Sequence, residues 1–247
     1  MPADARLASI PKGMTCAGVH RAIVESLLKE GGDLRGKAML DLPCGRADLI
    51  ESLKTFFPEA IYRGCDLTRP TALTDAEFTQ VDATRLFRAF PEIDFHYFFC
   101  VSGLQEFDDT FQFLKSCANH LAVGGKLFLS VDNTVAMGDR ISYFFFGRVR
   151  QYRLFLTQDQ PCWRYVALQN IVKMLRSAGF EIREVTYLHS RWTDWLLLPL
   201  ALLVYPIQYL YLLIAKSKMP ISERVMYYPF RSMFCRHYIM VCEKIAG

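Results

Sequence analysis

Apolar residues recur along this chain in two alternating rhythms: short continuous runs, and stripes that return every third or fourth residue. Val19, Ile23, Val24, Leu27 and Leu28 form such a stripe, and it ends at Gly31-Gly32, which predicts a helix with a glycine stop. Ala38-Met39-Leu40 then runs into Asp41, the chain turns through Leu42-Pro43-Cys44-Gly45, and Leu49, Ile50, Leu53, Phe56 and Phe57 resume helical spacing. A buried strand, a tight turn and a helix closed by Pro58 are expected there. Further strands are predicted over 60–65, ending on Asp66, over 78–81, ending on Asp82, and over 95–101, whose nearly unbroken apolar run suits a strand covered on both faces.

Phe107, Phe111, Leu114, Cys117, Ala118 and Leu121 share one helical face, with Gly124-Gly125 as the expected stop. A fifth strand follows over 126–131, then a variable region over 132–161 rich in aromatics and arginines. A helix with Leu168, Ile171, Val172 and Leu175 inward ends at Gly179, and strands are expected over 181–188 and 237–244. Strands alternating with helices in this way predict an α/β fold, a doubly wound, seven-stranded, mostly parallel sheet. The organisation expected is a single domain over 1–247 with a loose N-terminal arm (1–17) and an apolar helical insert, about 191–236, before the last strand. In a parallel sheet the strands' carboxyl ends share one edge, so Asp41, Asp66 and Asp82 would line one crevice. Each alone is ordinary, since aspartate is common where strands break into loops; their joint occurrence is informative.

Composition changes this picture in one place. Hydrophobic residues make up 52% of the 247, and the excess lies after Trp192. The run 195–215 carries no charge and has the ~20 residues that a bilayer crossing needs. A return span over 216–236 would have to bury Glu223, Arg224 and Arg231, at about 2.5–3.5 kcal/mol for each central charge. Pro199 and Pro206 would break or kink a straight helix. Two shorter helices lying in one leaflet are therefore expected, with Lys216, Lys218, Arg224 and Arg231 near anionic headgroups. A buried lid and a dimer interface are the alternatives. The net charge of +4 comes without a basic stripe, which argues against nucleic acid. Eight cysteines occur without a C-x-x-C pair or a histidine at metal spacing, so neither a metal site nor a disulfide framework is indicated, and a cytoplasmic protein, peripheral on the inner face of the membrane, is expected. The first 13 residues hold no apolar core of a signal peptide.

The segments DLPCGRAD, YRGCDLT, QVDATRL, FFCVSGLQEF and LAVGGKLFLSVDN, in that order, resemble the class I S-adenosylmethionine-dependent methyltransferases. The likeness is to the bacterial small-molecule enzymes whose first loop reads D-x-P-C-G, and it covers about 19–188 and the final strand. It implies a Rossmann-like methyltransferase fold and S-adenosylmethionine as cofactor. Asp41 with Pro43, Cys44 and Gly45 would hold the methionine end, Asp66 beside Leu67 the two ribose hydroxyls, and Asp82 with Ala83 the adenine. Val101 and Ser102 would lie near the methyl donor. Pro43 and Ala47 stand where the family's loop has its first and last glycines. A nicotinamide-dependent enzyme would need G-x-G-x-x-G there, and this loop has only Gly45.

Methyl transfer rests largely on alignment, and a hydroxyl acceptor gains from a base; His189 and Glu106, beside Gln105, are the candidates. His20-Arg21 could cover the cofactor's carboxylate. Tyr143, Phe144, Phe145 and Phe146 suggest a hydrophobic substrate wall. The resemblance thus implies methyl transfer, while the apolar insert and the aromatic run point to a hydrophobic small molecule or lipid-linked acceptor; the rival is a catalytically silent relative that docks on a membrane or an enzyme.

Overall fold

The computed structural model describes residues 3–150, 155 and 164–245. Of the expected variable region, 151–154 and 156–161 lie outside the described residues, as do 162 and 163. The chain divides into two compact units, one formed by 1–131, 164–183 and 240–247 and the other by 132–163 and 184–239.

In chain order the first unit begins with α1 (Ala3–Ala8) and α2 (Val19–Glu30). Gly18 and Gly31, both left-handed, bracket α2, as the glycine stop required. Then come β1 (Ala38–Asp41), α3 (Asp48–Phe56), β2 (Ile61–Asp66), β3 (Phe78–Gln80), β4 (Phe95–Val101), α4 (Thr110–His120) and β5 (Leu121–Asp132). After α5 (Met137–Phe146) follow α6 (Leu168–Ser177), β6 (Phe180–Leu188), α7 (Trp192–Trp195), α8 (Leu198–Ile214), α9 (Ile221–Tyr227) and β7 (His237–Lys244). The seven strands form one sheet in the order β3-β2-β1-β4-β5-β7-β6. The pairings β3–β2, β2–β1, β1–β4 and β4–β5 are parallel. This is the doubly wound α/β fold that the alternation predicts. All four residues of β1 are buried, because both its neighbours pair with it and helices cover both faces of such a sheet.

Two boundaries differ from the sequence reading. The helix expected over 107–121 begins only at Thr110, where Asp109 caps it by accepting from the Gln112 amide at 2.9 Å. It ends at His120 rather than at the glycine pair. Gly124-Gly125 instead sit inside β5, where the register slips: Phe95 faces Leu121, while Tyr97 already faces Lys126. Gly124 has φ +77, and a Cβ on Gly125 would lie 2.8 Å from the Ala122 carbonyl oxygen. The glycines therefore permit a bulge in the strand.

In the second unit the insert folds as helices, but Pro206 does not divide it. α8 runs unbroken for 17 residues with Pro206 in its interior, while Pro199 occupies the first turn, where its missing N–H costs nothing. An interior proline costs about 3 kcal/mol. Here tertiary packing offsets it: Ala201 shares a buried cluster with Met137, Met233 and Phe234, and Leu198, Val204 and Tyr205 pack against that cluster. An ionic network centred on Asp194 of α7 ties segments of the unit together. Asp194 bonds the Arg236 guanidinium at 2.7 and 2.8 Å and that of Arg150 at 2.9 Å, and Arg150 reaches on to Asp139 at 2.9 Å. Burial alone would raise the Asp194 pKa, but hydrogen bonds from Arg236, the Arg191 amide and Arg150 hold it below the usual carboxylate range.

Candidate functional site

The site lies wholly in the first unit, at the carboxyl edge of β1, β2 and β4. The turn after β1 is held between its neighbours: the Leu42 amide donates to the Phe99 carbonyl at 3.0 Å and the Cys44 amide to that of Cys65 at 2.9 Å. Gly45 and Ala47 both adopt left-handed backbone, at φ +53 and +66. The first is natural to glycine, whereas Ala47 accepts a strain of roughly 1–2 kcal/mol with its methyl fully buried. The loop after β4 closes on this turn so tightly that a Cβ on Gly103 would lie 2.4 Å from Cδ of Pro43.

Together these loops enclose a cleft of about 630 Å³, whose walls include Pro43, Gly45, Asp66, Val101, Ser102 and Glu106. A recess of about 50 Å³ shares Pro43, Gly45 and Val101 with it and adds His20, Asp41 and Cys44. Asp66 accepts the Gly45 amide at 2.8 Å on one oxygen and the Leu67 amide at 2.7 Å on the other. Each carboxylate oxygen retains a lone pair, so the group can tie the loop and still receive two hydroxyls. Asp41 is buried, and its Oδ1 has no hydrogen-bond partner. Burial, reinforced by the charge of Asp66, raises its pKa well above the ordinary carboxylate value. The His20 ring, also buried, has no partner at Nδ1, while the Pro11 carbonyl takes its other nitrogen; burial lowers its pKa. His20 Nδ1 and Asp41 Oδ1 thus present two unmatched polar atoms to one recess, which suits the ammonium end of an amino acid. Glu106 is solvent-exposed at the cleft mouth, yet partial desolvation followed by the charge of Asp66 raises its pKa.

Several residues singled out in the sequence fall elsewhere. Arg21 is half-exposed and spends its guanidinium on Glu25 at 2.7 Å; its neighbour His20 lines the recess instead. Asp82 follows β3 but is exposed, closing its own turn by accepting the Thr84 amide at 3.1 Å. Asp82, the buried Ala83 and the exposed Leu67 are not among the residues lining either cavity. His189 belongs to the second unit and does not line them either. Conversely, Met14 and Thr15 enter the site from the arm, which is anchored where Thr15 Oγ1 meets Ser102 Oγ at 2.6 Å. Arg46 and the loop Thr68–Thr71 complete the cleft. That loop could have been found from its place directly after Asp66, but Met14 carries no local signal.

Asn in place of Asp41 should raise the melting temperature at pH 7–8 by a few degrees, at about 2–4 °C per kcal/mol, while weakening the binding of a cationic ligand. A carboxyl whose pKa is raised by folding binds protons more tightly in the native state, so its penalty grows as pH rises above the unfolded value. The gain in the Asp41→Asn melt should therefore vanish near pH 4; a melting temperature lowered at pH 8 would contradict it.

No protein-family profile matches the chain. A curated relative, the ubiquinone biosynthesis O-methyltransferase of Neisseria meningitidis serogroup C, is 26% identical over 165 residues, covering 62% of this chain and 67% of that protein. Among solved structures, an S-adenosylmethionine-dependent methyltransferase of Mesorhizobium loti superposes with TM-score 0.54 at 11% identity, over 92% of this chain and 99% of its own. One from Archaeoglobus fulgidus gives 0.55 at 14% identity, over 91% and 94%. These structures share the fold, and the orphaned acceptors of the recess together with the spare lone pairs of Asp66 fit S-adenosylmethionine. By its strand order and these superpositions, the chain has the fold of the class I S-adenosylmethionine-dependent methyltransferases.

Proposed function

We propose that this protein is an S-adenosylmethionine-dependent methyltransferase that modifies a hydrophobic small molecule or lipid-linked acceptor at a membrane surface, on its cytoplasmic face. The observation that carries the reading is α8, a helix apolar on every side, of which only Ala201 and Leu212 are buried. A helix of that kind is covered by protein or by lipid. No helix among the described residues is long and apolar enough to cross a membrane, which favours a helix lying in the interface. The relative named for O-methyl transfer in ubiquinone biosynthesis is compatible with such an acceptor.

When bound, S-adenosylmethionine supplies an electrophilic methyl group on a sulfonium. The chain's part is to hold and align. Asp66 would receive the ribose hydroxyls, and Asp41 and His20 the ammonium. Glu106, in the same cleft, takes the proton of an acceptor hydroxyl. The adenine role of Asp82 and Ala83 rests on their place after β3, and the role of His189 as a base rests on its place after β6.

The test is to supply S-adenosylmethionine labelled in its methyl group to the full chain with a lipid extract of the source cells. Label should pass into the solvent-extractable fraction. Label found only in water-soluble products would overturn the apolar acceptor.

A further inference from the structure

We infer that the C-terminal half of α5 and the length of α8 form a single insertion surface for a bilayer rich in anionic lipid. The inference rests on the membrane reading above and assigns the aromatic run of α5 a place there instead of in a substrate wall.

Tyr143, Phe144, Phe145 and Phe146 follow one another on the last turn of α5, and all are exposed, Phe144 by 81%. A substrate wall would hide such rings; here they stand in solvent. α5 and α8 are neighbours in the second unit. Met137 at the start of α5 shares the buried cluster with Ala201, and Arg140, one turn on, hydrogen-bonds the side chain of Gln208. Both helices therefore advance in the same sense, and the aromatic turn of α5 leads towards the end of α8 that exposes Leu210, Tyr211 and Ile214. A contiguous apolar surface of this kind marks an interaction site.

Charge selects the occupant. Among the described residues of the second unit, Asp139 and Asp194 are buried and satisfied by Arg150, and Glu184 is the only fully exposed acid. Arg148, directly after α5, and Lys216 and Lys218, directly after α8, are exposed. Exposed cations beside exposed aromatic and aliphatic side chains match an anionic membrane interface, with rings at headgroup depth and cations among the phosphates. At 17 residues α8 spans about 25 Å, short of the ~30 Å hydrocarbon core. It is suited to lie in one leaflet.

The test is co-sedimentation of the full chain with phosphatidylcholine vesicles, with and without about one third phosphatidylglycerol, at low and high salt. S-adenosylmethionine affinity is measured calorimetrically on the same preparations. The wild type should sediment with the anionic vesicles and be released by salt. The double variant Phe144→Ser, Phe145→Ser should bind them at least about tenfold more weakly with unchanged cofactor affinity, since both residues are exposed. Leu203→Ser with Leu210→Ser should do the same. Wild-type protein that stays in the supernatant would overturn the inference. Vesicle binding untouched by the α5 variant would remove α5 from the surface and overturn it as stated. A dimer in sedimentation velocity that the α8 variant dissociates, without vesicle binding, would assign the face to a second copy. Cofactor binding that survives either failure leaves the methyltransferase reading standing, whereas its absence in the wild type would overturn that reading alone.

Discussion

Asp66→Ala should weaken S-adenosylmethionine binding by at least about a hundredfold. The Asp66 carboxylate bonds the Gly45 amide at 2.8 Å and the Leu67 amide at 2.7 Å, and it lines the cleft. Hydrogen bonds to a charged group are each worth about 1.5–3 kcal/mol. Loss of the two ribose contacts proposed for it would thus remove roughly 3–6 kcal/mol, and 1.4 kcal/mol is a factor of ten. The substitution also unties Gly45, whose left-handed backbone shapes the floor of the cleft. Asp66→Asn separates the two effects: it keeps one acceptor oxygen for the loop but loses the charge and half of the accepting capacity, so its affinity should fall between wild type and alanine. Calorimetric titration of both variants checks the order. Equal affinity in wild type and alanine would remove Asp66 from the cofactor site.

Glu106→Gln should lower kcat by roughly 10²–10⁴-fold, the range that a general base contributes, and leave S-adenosylmethionine affinity within a few-fold. Glu106 lies at the end of a short 3-10 turn (Leu104–Glu106) directly after β4, with its carboxylate in the cleft. Partial desolvation and then the charge of Asp66 raise its pKa, which brings a carboxylate closer to the pH at which it must accept a proton and makes it a stronger base. The sign of the pH dependence follows. Only the ionised form can act, so kcat should fall as pH drops through the raised pKa, and the glutamine variant should lose that limb of the profile. Methylated product formed at the same rate and with the same pH profile by both proteins would exclude Glu106 as the base.

The core of the site was legible without coordinates because its signals are local. An apolar run ending on an acid, a turn with Gly45 and a resumed helical stripe specify β1, the loop and α3 through periodicity alone. A parallel sheet then puts the ends of β1, β2 and β4 on one edge. Asp41, Pro43, Gly45, Asp66, Val101, Ser102 and Glu106 all line the two cavities there. What depended on contacts between distant segments was hidden. Thr15 meets Ser102 across 87 residues, and no pattern within the arm announces that it will border the cleft. Arg21 and His20 are adjacent in sequence, yet one faces Glu25 and the other the recess, because helical geometry points consecutive side chains in different directions. Gly124-Gly125 looked like a helix stop and proved to be a strand bulge, since β4 dictates the register of β5.

By itself, then, the amino-acid order determined the alternation of strands and helices and the acids at the strand ends, because both follow from the nearest few neighbours along the chain. The tertiary structure decided which of those acids border a shared cleft, and that a helix would continue through Pro206. It also decided that the aromatics of α5 would face outward. Each of these depends on which surfaces are left uncovered once remote segments have packed.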